Sequence, residues 1–305
     1  MPSYAFFKNQ FVPLAEAKIG IMTHALHYGT AVFEGIRGNW NSEHQQTYLF
    51  RQKEHYQRLL NGGQILRMKL PYSLDDMCKI TVELAQKCGF KEDIYIRPVA
   101  YKSSEALGVR LHDIADDFFA FIIPWGRYID VDKARCCVSA WQCPTDNSIP
   151  PQVKIMGHYA GNALAKSDAV EKGFDEAIML SPDGYVAQGS GENIFLVTSG
   201  KLVTPALYNN ILPGITRDSV IKLAKNELGI ETIDRSITRA ELYTADECFL
   251  TGTAAHVTPV AEIDHRKIGS GEIGEITKKL QKIYADVIRG NNRKYLDWCT
   301  PVYKK

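Results

Sequence analysis

No apolar run in the 305-residue sequence approaches the roughly 20 residues that a helical bilayer crossing needs. The stretch FFAFII at 118–123 has the length of a buried strand instead. Charge of one sign is also lacking: 36 basic and 35 acidic residues leave a net +1, which argues against a nucleic-acid or acidic-membrane surface. The seven cysteines contain no CxxC pair, and Cys136 and Cys137 are adjacent, a poor arrangement for a disulfide between them. They read as buried or idle thiols of a reducing cytoplasm. The start, MPSYAFFKNQFVP, has neither a basic opening nor a sustained apolar stretch, so no secretory signal is expected. Internal repeats and low-complexity tracts are missing too.

What remains is an ordinary soluble globular composition, 45% hydrophobic and 23% charged. The length suits two domains of roughly 150 residues each. The expected division is a small domain over 1–126, a linker over 127–134 and a larger domain over 135–305. In the first, QTYLF (46–50) reads as a strand and Gln52–Met68 as a helix that Asn61-Gly62-Gly63 should weaken or break. Ser73 with Asp76 forms a capping box, and Gly89 is a plausible stop. In DIYIRPVAYK (93–102), alternation puts Tyr95, Arg97 and Tyr101 on one strand face, and Pro98 hints at an edge or a bulge. In the second, a helix spans about His158–Lys172. EAIML, YVAQG, ENIFLV and KLVTP look like successive hairpin strands. Helices over Thr216–Leu228 and Ile276–Ile288 follow, with ECFLTG and VTPVAEI between them. The class is α/β or α+β, the second domain rich in antiparallel strands.

Several stretches could carry chemistry. In LPGITRDSVIKLAKN (212–226) a Pro-Gly turn enters a helix whose first amides, near Ile215 and Thr216, lack internal partners and would attract phosphate. The plain alternative is a capped helix with Thr216 as N-cap. TGTAA (251–255) could form an anion-binding nest or a tight hairpin turn. Tyr95 and Arg97 pair a phenol with a planar fork suited to a carboxylate. His24 and His27 have no third metal ligand at suitable local spacing, so packing or supporting hydrogen bonds are expected of them and no metal is assigned. His55 reads as a helix-surface or half-buried residue. Lys154, in the apolar VKIMG, suits Schiff-base chemistry, although periodicity does not single it out from other lysines.

HALHYGTAVFEGIR (24–37), HYQRL (55–59), YIRP (95–98), PWG.Y (124–128), VKIMGHYAGN (153–162), GSGENIF (189–195), LPGITRD (212–218) and TGTAAHVTPV (251–260) together resemble the branched-chain amino acid aminotransferases. Any one of these motifs is weak; eight in order over nearly the whole chain are specific. The resemblance implies a pyridoxal-phosphate enzyme of fold type IV, with a small N-terminal α/β domain and a larger C-terminal pseudo-barrel. It implies that Lys154 binds the cofactor covalently and later moves the substrate proton, and that Tyr159 bonds the cofactor's phenolic oxygen. Arg58, Thr253 and the amides of Ile215 and Thr216 would hold the phosphate. Tyr95 and the turn residues Thr253, Ala254 and Ala255 would receive the substrate α-carboxylate, with Gly35 and Arg37 nearby. Arg97 would meet the side-chain carboxylate of glutamate. Tyr28, Phe33, Trp125, Tyr128 and, from a second subunit, Val109 would wall an apolar pocket. A homodimer or higher homo-oligomer in the cytoplasm is implied, exchanging an amino group between L-branched-chain amino acids and 2-oxoglutarate.

One position departs from the pattern. Where the family has a glutamate facing the pyridine nitrogen, this chain has Gln188, while Glu192 matches a second glutamate beside the cofactor and Arg37. A neutral amide supports a protonated ring less well than a carboxylate does, so slowed transamination is expected. D-amino acid or (R)-amine aminotransferases and aminodeoxychorismate lyases are the nearest alternatives within the fold type; YIRP and the HALHYG–FEGIR block resemble the L-branched-chain group. A catalytically weak pyridoxal-phosphate-binding relative is the remaining one.

Overall fold

The computed structural model describes residues 3–126 and 131–303. The chain begins with β1 (Tyr4–Phe7), β2 (Gln10–Pro13), α1 (His24–Tyr28), β3 (Ala31–Phe33), β4 (Ile36–Asn41), β5 (Gln46–Phe50), α2 (Gln52–Ile65), α3 (Leu74–Cys88), β6 (Ile94–Lys102) and β7 (Asp116–Pro124). It continues through β8 (Ala134–Gln142), α4 (Tyr159–Glu171), β9 (Glu176–Leu180), β10 (Val186–Gly189), β11 (Asn193–Thr198), β12 (Lys201–Thr204), α5 (Ile215–Leu228) and β13 (Thr232–Asp234). The last elements are α6 (Arg239–Leu242), β14 (Glu247–Gly252), β15 (His256–Ile263), β16 (Arg266–Lys267), α7 (Glu275–Ile288) and β17 (Cys299–Pro301). The class is mixed α/β. Two compact units form: the first from Met1–Gly126, Val153–Gly157 and Asp286–Lys305, the second from Arg127–Gln152 and His158–Ala285.

In the first unit the sheet runs β17-β5-β4-β6-β7-β1-β2, with β3 also paired to β6. Pro98 is therefore central, and it pairs with Ala120 in an unbroken register rather than at an edge or bulge. Its carbonyl accepts from the Glu34 N–H at 2.9 Å. In a strand, N–H and C=O of one residue face the same side, so the missing proline N–H falls in the gap where β3 ends and β4 has not begun. The helix α2 passes through Asn61-Gly62-Gly63 and ends at Ile65, short of the expected Met68. A Cβ on Gly62 would come 2.7 Å from Val32 Cγ1, so the glycine is what lets α2 lie against β3. Its buried residues His55, Tyr56, Leu59, Gly62 and Gly63 recur at helical spacing. The capping box of α3 forms as read, and Gly89 ends the helix in the left-handed region.

In the second unit the sheet order is β10-β9-β8-β15-β14-β11-β12-β13. One core cluster packs Ile178, Ile194, Leu196, Leu250 and Ile263; the intervening residues Phe195 and Phe249, paired across β11 and β14, are fully buried and stack at 5.0 Å. Each contributes roughly 1.5–3 kcal/mol by leaving water. EAIML with YVAQG and ENIFLV with KLVTP pair as hairpins. YVAQG and ENIFLV do not: Gly189 N–H closes the turn onto the Glu192 carbonyl at 2.7 Å, after which β11 pairs with β12 and β14. The GSG segment is thus a crossing between ladders. TGTAA does connect a hairpin, with Gly252 opposite His256.

Candidate active site

Backbone contacts within the first unit place Lys154. Its carbonyl accepts from the Phe33 N–H at 3.1 Å, Ile155 bridges to Val32, and Gly157 N–H donates to the Gly29 carbonyl at 3.2 Å. Gly29 has φ +62, and a Cβ there would come 2.6 Å from Gly157 Cα, so this close approach admits only glycine. The lysine Nζ stands 5.1 Å from the centre of the Phe33 ring, and the Arg97 guanidinium carbon 4.4 Å from it. Phe33 therefore gathers two cations around one aromatic ring.

Beside Phe33 lies a residue that sequence reading passed over. Glu34 is wholly buried; it accepts from Arg58 Nε at 2.6 Å, from Arg58 Nη2 at 2.8 Å and from His55 Nδ1 at 2.7 Å. Burial pushes its carboxyl up, but the Arg58 charge and the hydrogen bonds from Arg58 and His55 outweigh that and hold it at about 2. Burial, joined by the Arg58 and Lys154 charges, pushes His55 down against the upward pull of the Glu34 carboxylate. His55 is thus no surface residue: it is 1% exposed and helps aim Glu34. The signal available in the sequence was the spacing of His55 and Arg58, three apart on one face of α2, with a lone acid in the FEG turn.

The expected strand-face pair is present. Arg97 Nη2 donates to the Tyr95 hydroxyl at 2.9 Å, and Trp125 lies 5.3 Å from the Tyr95 ring. A Cβ on Gly35 would collide with the Tyr95 hydroxyl, which explains that glycine. Arg37 is buried, donates to the Gly126 carbonyl at 2.8 Å and lies 3.9 Å from Asp93. Tyr28 accepts from the Gly108 N–H at 2.9 Å. Val109, beside it, is 89% exposed, and Tyr128 lies outside the described residues.

In the second unit the GSG crossing and the start of α5 are built together. Gln188 is buried, and its Oε1 accepts from the Leu212 N–H at 2.9 Å, while Asn193 Nδ2 donates to the Leu212 carbonyl at 2.9 Å. Both polar groups of Leu212 are thereby held just before the helix. The N-cap of α5 is Gly214, not Thr216, and it supplies no side-chain cap. A Cβ on Gly214 would strike Asn193 Oδ1. Ile215, Thr216 and Arg217 follow, all buried. Asn162 on α4, whose first residue is Tyr159, donates to the Ser190 carbonyl of the crossing. Glu192 is buried and accepts from the Gly191 N–H at 3.2 Å. In the TGTAA turn, Thr253, Ala254 and Ala255 are half-buried. The Thr251 hydroxyl is buried and has no hydrogen-bond partner among the described residues. A cavity of about 420 Å³ is lined by Ala254, Ala255, His256, Thr258 and Tyr284, among others.

A family model described as "Amino-transferase class IV" matches residues 31–263. The chain belongs to the class IV aminotransferases. Within them it falls in the branched-chain amino acid group. A "Probable branched-chain-amino-acid aminotransferase" of Aquifex aeolicus is 52% identical over 99% of this chain and 97% of its own length. The branched-chain aminotransferase of Thermoproteus uzoniensis, solved with norvaline, is similar at TM-score 0.94 and 41% identity, over 99% of this chain and 100% of that one. A T.th. branched-chain amino acid aminotransferase complexed with N-(5'-phosphopyridoxyl)-L-glutamate gives TM-score 0.94 and 40% identity over 99% of each chain.

This aminotransferase is an enzyme whose cofactor is pyridoxal phosphate. Its residues fit that group. A helix N-terminus with its dipole and backbone N–H groups suits an anion, and α5 begins at the buried residues Ile215 and Thr216 with no side chain capping it. The Thr251 hydroxyl is a buried donor with no partner among the described residues.

Proposed function

We propose that this enzyme exchanges an amino group between L-branched-chain amino acids and 2-oxoglutarate, giving branched-chain 2-oxo acids and L-glutamate. The observation that carries the reading is Phe33, an apolar ring with the Arg97 guanidinium against it. An apolar wall accepts a leucine-like side chain, and one reachable arginine accepts the second carboxylate of glutamate. The T.th. relative, complexed with a phosphopyridoxyl-glutamate compound, supports glutamate as one partner.

When bound, pyridoxal phosphate supplies the carbonyl that takes up the amino group and a ring that delocalises charge developing at the substrate Cα. The residues do the rest. Lys154 holds the cofactor and moves the proton at Cα. Arg58, kept in orientation by Glu34, joins Thr253 and the Ile215 and Thr216 amides at the phosphate, and Tyr159 donates to the phenolic oxygen. Tyr95, Gly35, Arg37 and the TGTAA residues Thr253, Ala254 and Ala255 position the α-carboxylate; Tyr28, Trp125 and Tyr128 complete the apolar wall. Gln188 faces the ring nitrogen as a neutral group, with Glu192 beside it, and slows the reaction relative to a carboxylate. Ile21, Leu26, Leu107 and Val109 are exposed apolar side chains of the first unit; this exposure supports a homodimer in which a second copy would cover them and Val109 would reach the other copy's pocket. Seven buried free thiols suit the cytoplasm.

A donor panel with 2-oxoglutarate, run beside an absorption spectrum, tests this. L-leucine, L-isoleucine and L-valine should be turned over, and the visible cofactor band should vanish in Lys154→Ala together with about 10²–10⁴-fold of the rate. Turnover of D-alanine alone would overturn the reading.

A further inference from the structure

The helix α1 is only five residues long, yet it holds a distant loop by both polar groups of one residue. Gly108 donates its N–H to the Tyr28 hydroxyl at 2.9 Å, and its carbonyl meets His24 Nε2 at 3.0 Å. A carbonyl only accepts, so Nε2 carries the proton. The other ring nitrogen of His24, Nδ1, lies 2.8 Å from the Thr30 hydroxyl. The imidazole is 1% exposed and packs on the Tyr28 ring at 4.6 Å. Gly108 itself has φ +120, a conformation that side chains rarely adopt, and among the described residues no atom lies within 4 Å of where its Cβ would be. The glycine is therefore demanded by backbone shape and not by crowding. Around this clamped residue, Leu107 is 61% and Val109 89% exposed. The chain spends a buried histidine and a tyrosine hydroxyl on fixing a tip whose apolar side chains are mostly exposed.

We propose that His24 is a positioning residue for the substrate pocket: through its Nε2–H bond to the Gly108 carbonyl it sets where the loop tip holds Val109. Tyr28 acts with it on the Gly108 N–H. The proposal rests on the reading that Val109 walls the pocket of a second copy. Its specific claim is that the wall is placed from α1 of the chain that supplies it. Side-chain specificity then depends on a histidine that touches no substrate.

A double-mutant cycle tests this in the pyridoxal-phosphate-loaded enzyme. His24→Leu removes the donor at similar size, His24→Gln keeps an amide donor, and Val109→Ala removes the wall. His24→Leu is expected to raise KM for L-leucine about tenfold, the scale of one lost hydrogen bond. Its kcat per bound cofactor and its Tm should change little, and His24→Gln should recover most of the KM. In the double variant His24→Leu/Val109→Ala, KM should be no worse than in the poorer single variant. Additive effects, or a fall in kcat with KM unchanged, would overturn the role of His24. If Val109→Ala leaves KM unchanged, or the protein is monomeric by light scattering, the pocket-wall reading fails and the proposal falls with it.

Discussion

At the scale of single residues, two side chains decide how the candidate site behaves. Gln188 is oriented by a bond that leaves no choice. The Leu212 N–H can only donate, so the oxygen of the amide faces Leu212 and the NH₂ is the end left to turn elsewhere. A glutamate would keep the Leu212 bond and offer an acceptor in place of that donor. Gln188→Glu is therefore expected to raise kcat by about tenfold, the difference between a neutral and a charge-assisted hydrogen bond. Steady-state kinetics check it, and an unchanged or lower rate would count against a ring-nitrogen role. Glu34 has a pH signature. Its pKa is about 2 in the fold against 4.5 for a free glutamate, so its stabilising contribution is full above about pH 4.5 and is lost as pH falls toward 2. Glu34→Gln should cost about 3–5 kcal/mol at neutral pH, because it strands Arg58 and the buried His55. Urea unfolding should show that gap closing between about pH 4.5 and 2, where the unfolded carboxyl takes up a proton that the native one still refuses; a gap independent of pH would refute the assignment.

At the scale of elements, α5 is where local sequence and function meet most closely. Pro213 and Gly214 end the preceding loop, and the helix begins at Ile215 without a side-chain cap. By residue type alone the stretch reads as an ordinary helix capped by Thr216, with a phosphate-attracting terminus as the alternative. What displaces that cap is Asn193, whose side chain occupies the space that a Cβ on Gly214 would need and ties down the Leu212 carbonyl. Gly214→Ala should therefore weaken cofactor binding, by about 1–3 kcal/mol from overpacking, while the helix itself persists. Titration of the apoenzyme with pyridoxal phosphate, followed by absorbance, measures it. An unaltered Kd would mean that the α5 amides do not bear the phosphate. The strand around Pro98 teaches the converse lesson. Proline marks edges because of its missing N–H, yet here that absence coincides with the break between β3 and β4, which single-strand periodicity cannot reveal.

At the scale of the whole molecule, the first unit presents exposed apolar side chains that the proposed dimer would bury. Ile21, Leu26, Leu107 and Val109 belong to segments joined by the Thr23–Glu105 bridge and the α1–Gly108 bonds. Light scattering of the purified protein should give a dimer or a multiple of it. Ile21→Lys with Leu26→Lys should shift the mass toward the monomer and lower activity as protein is diluted; a monomer at all concentrations for the native chain would exclude a shared site.

Motifs carry most of what the sequence alone determines: the family, the Tyr95–Arg97 face and the TGTAA hairpin are all visible as local residue order. These are legible because each depends on neighbours within a turn or a strand, where spacing dictates direction. The tertiary structure alone decided the rest. Glu34 became the partner of Arg58 and His55 only when β3 and α2 packed, with Gly62 permitting the approach. Likewise Gly108 met His24 across 84 residues of chain. Burial and long-range hydrogen bonding depend on what folds against a residue, and no period in the sequence encodes that.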